Sequence, residues 1–383
     1  MSTSFVFQTV NDIRFGAHCT EQIGVILQEK FAARSALIIT DQGLVKLGKL
    51  QALLTSLETS SIKVKVFDQV LPDPSDSLIL QAAEQAQDVD VIIGFGGGSS
   101  MDTAKLAAVL ARLEQPLAEM YGVNNVRSSR KPLVQIPTTA GTGSEVTPIS
   151  VVTTGETTKS GVVSPVLYAD LVLLDATLLL GMPAHITAET GVDAMVHAIE
   201  AFTSKLKKNP LSDNLAQQAL KLLSHSLPLA YANINNLEYR QDTMLGAMLA
   251  GQAFANAPVA GVHALAYPLG GIFHLAHGLS NALMLPHVLK FNLPAAEAEY
   301  AQLAGLLLND LPKNVDQQAQ AFLDCMQKIS KSVGLDRRLR DYGVKQTDLE
   351  RLAKEAMLQS RLLQNNPRPI LFEDALQLYQ DAW

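Results

Sequence analysis

The feature that most constrains the fold of this chain is the alternation of strand-like and helix-like segments over its first 180 residues. Short apolar runs recur there, at residues 35–40, 63–68, 89–96 and 132–139. Such runs are typical of strands that are buried on both faces of a sheet. Helix-like stretches at residues 44–57 and 75–87 separate the first three runs. Strands and helices alternating at this spacing predict an α/β domain with a parallel sheet.

The character of the sequence changes near residue 181. More strand-like pieces precede this point, but beyond it the β-branched runs vanish and long stretches rich in Ala, Leu and Gln take over. Apolar residues recur with helical spacing at residues 213–223, 239–254 and 314–333. Because no low-complexity linker intervenes, we expect a second, helical domain that packs closely on the first and forms a cleft with it.

Composition excludes several classes of function. With 383 residues, 48% of them hydrophobic, the chain is long enough for two sizeable cores. A formal net charge of −7 argues against a broad surface for nucleic acid or an anionic membrane. The chain has two cysteines, Cys19 and Cys325, which lie far apart in the sequence and lack CxxC spacing. So few, separated cysteines are typical of a protein from a reducing compartment. With no evident secretory signal or membrane-spanning apolar run, we expect a cytoplasmic protein.

A glycine-rich turn, GFGGGS, follows the third strand-like run at Gly94–Ser99. Backbone N–H groups at the start of a helix bind anions, and the missing side chains would let a phosphate approach closely. The spacing lacks the last glycine of the dinucleotide fingerprint, and no Walker A lysine follows. A phosphate site and a plain strand-to-helix turn therefore both remain open on this motif alone.

Two further positions at strand ends suit a nucleotide. Asp41 follows the first run, where a carboxylate could accept hydrogen bonds from an adenosine ribose and repel the 2′-phosphate of NADP. It would serve equally well as the N-cap of the next helix. The loop PTTAGTGSE at residues 137–145 also lies beyond a strand's carboxyl end, which is where open α/β sheets bind ligands.

Histidines concentrate in the second half of the chain. Asp193 and His197 stand four residues apart in a helix-like stretch, so both side chains project from one face. Four more histidines lie close together at residues 261–289, namely His263, His274, His277 and His287. One carboxylate and three imidazoles would make a mixed site for Fe²⁺, Zn²⁺ or a similar ion. Spacing does not decide which two of the four later histidines would complete it.

Four segments together resemble a known family. They are GFGGGSSMDTAK, IPTTAGTGSEVT, GVDAMVHAIEAF and GVHALAYPLGGIFHLAHGLSNALMLPHVLKFN. In this order they resemble the iron-containing (group III) alcohol dehydrogenases of the dehydroquinate-synthase-like superfamily, nearly end to end. The resemblance implies an NAD-binding α/β domain with a parallel sheet at residues 1–181 and an all-α metal-binding, catalytic domain at residues 182–383. It places the active site in the cleft between them and implies a homodimer.

The resemblance also implies a reaction and the residues that support it. A divalent metal, Fe²⁺ with Zn²⁺ possible, would activate a small alcohol or diol that passes hydride reversibly to NAD and yields the aldehyde. The implied metal ligands are Asp193, His197, His263 and His277, which leaves His274 and His287 in supporting or structural roles. The implied cofactor contacts are Asp41 at the ribose, Gly96, Gly97, Gly98, Ser99 and Asp102 at the phosphates and nicotinamide side, Thr138, Thr139 and Thr142 along the cofactor, and Lys159 nearby.

One position departs from the family pattern. Many members carry a histidine four residues after the third ligand, facing the substrate, whereas this chain has Tyr267. A phenol with a pKa near 10 is poorly suited to act as a base at neutral pH. We therefore expect Tyr267 to shape the choice of alcohol more than it transfers protons, which would pass through the nicotinamide ribose and water.

Two other functions are compatible with the superfamily. A metal- and NAD-dependent lyase of the dehydroquinate synthase type would need several Lys and Arg residues to hold phosphate and carboxylate. The segments around the implied ligands contain none. A non-catalytic metal-binding scaffold fits less well, because all four implied ligands are present.

Overall fold

The computed structural model describes residues 4–155 and 158–383. Within them the chain forms two compact units. One comprises Gln8–Leu180, and the other comprises Gly181–Trp383 with the described residues up to Phe7.

The first unit is built on a parallel sheet. Strands in this unit, in chain order, are β1 (Ile13–Phe15), β2 (Ser35–Ile39), β3 (Lys63–Phe67), β4 (Val91–Gly96), β5 (Gly122–Val123), β6 (Leu133–Pro137), β7 (Ile149–Thr154), β8 (Thr158–Val163) and β9 (Leu171–Leu174). Six of them form one sheet in the order β1-β9-β6-β4-β2-β3, and every neighbouring pair is parallel. The predicted parallel α/β sheet is therefore confirmed.

Burial along the strands follows their place in the sheet. All six residues of the central strand β4 are buried, and Ile93 pairs with Ile38 of β2 and Val134 of β6. The expectation that residues 63–68 are buried on both faces is wrong, because β3 is an edge strand. Lys63 and Lys65 of β3 are exposed, which protects the open edge from pairing with another chain.

Five helices accompany the strands of this unit in the described residues: α1 (Ile23–Phe31), α2 (Gln42–Lys46), α3 (Gln51–Thr59), α4 (Asp76–Gln85) and α5 (Gly98–Leu110). The single helix expected at residues 44–57 is two helices. Gly48 separates them with a φ of +68°, a conformation that glycine adopts at little steric penalty. Ser75 caps α4 by accepting a hydrogen bond from Leu78 N.

A second, smaller sheet was not expected from the sequence. Strands β7 and β8 form an antiparallel hairpin, and β5 pairs with β8. The hairpin is fastened to α5, because Ser150 Oγ donates to the carbonyl of Asp102 at 3.0 Å.

The second unit is helical in its described residues. Its helices are α6 (Ala184–Thr203), α7 (Pro210–Ala232), α8 (Leu237–Asn256), α9 (Gly261–Phe273), α10 (His277–Leu307), α11 (Val315–Ser332), α12 (Leu349–Met357), α13 (Ser360–Leu363) and α14 (Phe372–Ala382). The prediction that the chain is helical after residue 181 is therefore confirmed. Helix α6 packs against α7, α8 and α10. It approaches α10 so closely that a Cβ on Gly278 would lie 2.2 Å from the Glu189 carbonyl oxygen.

In the part of the chain that the structure describes, no single helix is long and apolar enough to cross a membrane. Helices α8 and α9 reach that length and composition only when taken together, and they are bent by 105° relative to each other.

Candidate metal centre and nucleotide site

Four side chains of the helical unit converge on one point. Asp193 and His197 project from the same face of α6, His263 comes from the first turn of α9, and His277 begins α10. Each offers one ligand atom, and the four atoms all lie within 4.8 Å of one another. The His277 side chain is 34% exposed while the other three are buried. The cluster is therefore open on the His277 side, as a site that admits a substrate must be.

The spacing of the four atoms suits a metal ion. Asp193 Oδ1 lies 3.6 Å from His277 Nε2, 3.8 Å from His263 Nε2 and 4.0 Å from His197 Nε2. Ligands about 2.1 Å from a tetrahedral ion lie about 3.4 Å apart. One carboxylate and three imidazoles are also a donor set that Fe²⁺ and Zn²⁺ accept. The residues present thus fit the metal that the sequence analysis expects.

Ring packing and hydrogen bonds hold the cluster in place. The ring of His197 stacks on Phe254 at 4.3 Å between centroids and on His263 at 4.7 Å. Glu200 Oε2 accepts a hydrogen bond from His263 Nδ1 at 2.7 Å. Asn281 Nδ2 donates to Asp193 Oδ1 at 2.6 Å.

Glu200 and Asn281 contact the candidate ligands but were not predicted from the sequence. Helical spacing could have indicated them, because Glu200 follows His197 by three positions and Asn281 follows His277 by four. Each therefore shares a helix face with a candidate ligand.

The surroundings favour an ionised Asp193. Burial raises the pKa of its carboxyl, but the imidazoles of His197, His277 and His263 and the Asn281 amide outweigh that effect. The net result is a pKa below the ordinary value. The carboxylate form is the one that binds a metal.

The remaining histidines and Tyr267 lie around the cluster. His274 is exposed and ends α9 with a left-handed φ of 55°. His287 lies within α10, where burial lowers the pKa of its imidazole. Neither belongs to the four converging side chains. Tyr267 lies one turn beyond His263 on α9, with its ring 5.9 Å from the ring of His277, so it borders the open side of the cluster.

In the α/β unit, the glycine turn joins β4 to the start of α5. Gly96 has a φ of +150°, Gly97 is the N-cap of α5 and Gly98 its first residue. Ser99 continues the first turn, so these residues lie at a helix start, where the backbone N–H groups have no partner within the helix.

Threonines from the loop after β6 border this helix start. A Cβ on Gly97 would lie 3.6 Å from Thr139 Oγ1, and one on Gly98 would lie 3.0 Å from Thr142 Cγ2. Thr138 N donates to the Gly96 carbonyl at 3.0 Å. The structure therefore brings both glycine-containing loops of the sequence analysis together.

Asp102 lies in a buried polar network one turn into α5. Its Oδ1 accepts from Ser144 Oγ at 2.6 Å and its Oδ2 from Val151 N at 2.9 Å. Lys105, which the sequence analysis did not single out, is fully buried and donates to Ser144 Oγ at 2.8 Å and to the Ile149 carbonyl at 2.6 Å. Burial lowers the pKa of this amine, and the Asp102 charge partly opposes that shift.

Asp41 and Lys159, two of the residues expected to contact the cofactor, each have a partner within the protein. Asp41 is the N-cap of α2, and its Oδ1 accepts a hydrogen bond from Leu44 N at 3.0 Å. The capping alternative is therefore realised, and Oδ2 of the same carboxylate is not part of that bond. Lys159 lies on β8 and pairs with Asp73 at 2.7 Å.

Comparisons with known proteins agree along nearly the whole chain. The family profile "Iron-containing alcohol dehydrogenase" matches residues 11–176, and "Fe-containing alcohol dehydrogenase family, C-terminal" matches residues 187–383. Long-chain-alcohol dehydrogenase 1 of Geobacillus thermodenitrificans is 40% identical, over 93% of this chain and 91% of its own length.

Solved structures show the same likeness. The crystal structure of a 1,3-propanediol oxidoreductase aligns with a TM-score of 0.95 at 34% identity, covering 99% of this chain and 100% of that one. Sulfoacetaldehyde reductase of Bifidobacterium kashiwanohense, solved in complex with NAD⁺, aligns with a TM-score of 0.87 at 28% identity, covering 100% and 99% of the two chains. The chain is therefore an enzyme of the iron-containing alcohol dehydrogenase family.

Proposed function

We propose that this enzyme is an NAD-linked, metal-dependent alcohol dehydrogenase that interconverts a small alcohol or diol, preferably primary, and its aldehyde. The observation that carries the proposal is the convergence of Asp193, His197, His263 and His277, whose ligand atoms lie within 4.8 Å of one another. The similar proteins named above act on long-chain alcohols, 1,3-propanediol and sulfoacetaldehyde, so they support the reaction class without selecting one substrate.

The four side chains would hold Fe²⁺, and Zn²⁺ is compatible with the same donors. When bound, such an ion favours loss of the alcohol proton and polarises an aldehyde carbonyl, while the nicotinamide accepts or returns the hydride. The protein's contribution is a fixed, partly dry donor set. Three of the four side chains are buried. Little water therefore screens the negative charge of Asp193, and its attraction for a metal cation is stronger than it would be at the surface.

NAD would bind to the α/β unit. We assign its phosphates to Gly96, Gly97, Gly98 and Ser99 at the start of α5, with Asp102 toward the nicotinamide side. Thr138, Thr139 and Thr142 would line the cofactor, and this is supported by the side chains of Thr139 and Thr142, which lie beside the space that a side chain on Gly97 or Gly98 would occupy. Asp41 would receive the adenosine ribose through the oxygen not used in capping. Lys159 is the weakest assignment, because its amine already pairs with Asp73.

Tyr267 would contact the substrate. Its ring lies 5.9 Å from that of His277, the most exposed of the four proposed ligands. At this position the phenol can donate a hydrogen bond to a polar substrate and limit the space for the alcohol chain. A phenol as a chemical group is poorly suited to accept a proton at neutral pH.

The assignment divides the chain into a nucleotide-binding domain at residues 1–181 and a metal-binding, catalytic domain at residues 182–383. On the family resemblance we further propose a cytoplasmic homodimer. Light scattering of the purified protein tests the oligomeric state.

The test of the proposed function is NADH formation, followed at 340 nm, by metal-reconstituted protein with a panel of primary alcohols, diols and hydroxy acids. We expect turnover with at least one alcohol and the reverse reaction with its aldehyde. A protein that binds the metal and NAD but oxidises no member of the panel would contradict the proposal.

A further inference from the structure

Glu200 is a buried carboxylate on α6 whose two oxygens accept three N–H groups. Oε1 accepts from Val262 N at 2.6 Å, and Oε2 accepts from Ala260 N at 2.9 Å and from His263 Nδ1 at 2.7 Å. The side chain is only 5% exposed. A carboxylate inside a protein with three well-placed donors is strongly constrained in orientation.

Two of these bonds belong to the start of α9. The first N–H groups of a helix have no partner within the helix and need acceptors from elsewhere. Glu200 takes those of Ala260 and Val262, while Asn366 Oδ1 accepts from the intervening Gly261 N at 3.3 Å. Asn292 holds Asn366 in turn, with Asn366 Nδ2 donating to Asn292 Oδ1 at 2.7 Å. Two different side chains therefore share the capping of α9, and only Glu200 also contacts an imidazole.

The third bond decides which nitrogen of His263 carries the proton. A carboxylate can only accept, so Nδ1 must be the donor, and Nε2 of the neutral ring keeps its lone pair. That Nε2 points toward the cluster, 3.8 Å from Asp193 Oδ1. The same helix face carries Asp193, His197 and Glu200 at positions i, i+4 and i+7. One face of α6 thus supplies two candidate ligands and the group that orients a third.

We propose that Glu200 is a positioning residue that fixes the tautomer and ring orientation of His263 for metal binding, in addition to capping α9. The inference rests on the proposed function, because it assumes that His263 binds the metal. Partners of this kind around metal-ligating histidines change metal affinity by about 10- to 100-fold when they are altered.

Glu200→Gln separates the two roles of the side chain. A glutamine keeps the size and one acceptor oxygen, so part of the α9 cap survives. Its amide nitrogen can only donate. Facing Nδ1 it would favour the tautomer with the proton on Nε2, where the metal should bind, and facing Val262 N it would set two donors against each other. In both orientations the negative charge that makes the His263 ring a better metal ligand is lost. Asn366→Ala is the matched control, because it removes an acceptor from the same helix start without touching His263.

The experiment measures Co²⁺ affinity by competition with a chromophoric chelator, the visible absorption of bound Co²⁺, and thermal unfolding of the metal-free proteins. We expect Glu200→Gln to weaken Co²⁺ binding by about 10- to 100-fold and to change the absorption spectrum. We expect Asn366→Ala to lower the metal-free Tm while its Co²⁺ affinity stays within about threefold of the parent, since its loss is structural. Parent affinity and spectrum in Glu200→Gln, or equal affinity losses in both variants, would overturn the inference.

A second measurement needs no variant. In the metal-free parent protein, ¹⁵N NMR of labelled histidines should show His263 as the Nδ1–H tautomer, and an Nε2–H tautomer overturns the inference even if Glu200→Gln does not fold. Failure of the proposed function would look different. The unmodified protein would then bind no Co²⁺ at this cluster, or bind it and oxidise no alcohol, whatever the state of Glu200.

Discussion

The imidazole of His197 stacks on that of His263, with ring centroids 4.7 Å apart and ring planes inclined by 22°. The two rings come from different helices, yet their Nε2 atoms lie at similar distances from Asp193 Oδ1, 4.0 and 3.8 Å. Phe254 also stacks on His197, so neither ring needs to be reordered when a metal binds. A donor set held by packing in this way is preorganised for its ligand.

Tyr267 should influence which alcohol is used more than how fast the proton moves. We expect Tyr267→Phe to keep kcat within about tenfold of the parent, a change of only about 1.4 kcal/mol in the barrier. Tyr267→His should shift the pH profile toward neutrality and improve the use of small polar diols, because imidazole titrates near pH 6.5. Steady-state kinetics over a range of pH checks both. A thousandfold fall in kcat for Tyr267→Phe, with metal and NAD still bound, would show that the hydroxyl takes part in the chemistry.

Asp41 should set the preference for NAD over NADP. We expect Asp41→Gly to narrow the ratio of kcat/KM for NAD over NADP by at least about tenfold, since the carboxylate that repels a 2′-phosphate is gone. Glycine at an N-cap position lowers stability by only a few tenths of a kcal/mol relative to aspartate. The bond from Leu44 N to Asp41 therefore does not confound the test. A parent enzyme that prefers NADP would contradict this role.

How far the sequence predicts this molecule differs between the fold and the site. The parallel sheet and the helical second half follow from local patterns. Continuous apolar runs and helical spacing of apolar residues can both be recognised in short stretches of sequence. The hairpin of β7 and β8 was not predicted. Its position depends on contacts with distant parts of the chain, such as the hydrogen bond from Ser150 to the carbonyl of Asp102 in α5, and these are not visible in the local sequence. Glu200 was missed for a similar reason. Its partner His263 lies 63 positions away, and only the fold brings the two together.

The start of α5 should lose NAD affinity when Gly97 gains a side chain. Gly97 has φ −77° and ψ −171°, which alanine adopts readily, and a Cβ there would meet the Thr139 side chain at an ordinary 3.6 Å. We therefore expect Gly97→Ala to fold normally but to raise the NAD dissociation constant by at least about tenfold, because the methyl group would occupy space needed by a phosphate. Calorimetric titration with NAD measures this. Unchanged affinity would remove the glycine turn from the cofactor site.

Glu145 should make the protein less stable as the pH rises. Burial raises the pKa of its carboxyl to about 7 from an ordinary 4.5, although the nearby Lys105 charge opposes the shift. Below pH 4.5 Glu145 is protonated in both the folded and the unfolded chain, so the titration of Glu145 does not yet lower the free energy of unfolding there. Between pH 4.5 and about 7 the unfolded chain releases the proton first, and the free energy of unfolding falls by about 1.4 kcal/mol per pH unit.

Thermal unfolding of the parent and of Glu145→Gln at pH 5 and pH 8 tests this prediction. The amide does not titrate, so the variant should lose less stability between the two pH values than the parent does. Equal losses in the two proteins would show that Glu145 titrates normally.

Metal content and NADH formation, measured on the same samples, test most directly whether the catalytic metal is held by Asp193, His197, His263 and His277. The informative comparison is between the parent, His277→Ala and His274→Asn. Asparagine is the suitable control at position 274 because the residue there has a left-handed φ of 55°. We expect the parent and His274→Asn to hold one metal ion per chain and to oxidise a primary alcohol, while His277→Ala loses most of its metal and more than about a hundredfold in rate, beyond the range seen when only a ligand's partner is altered. Equal metal loss in His274→Asn, or full metal and activity in His277→Ala, would contradict the assignment.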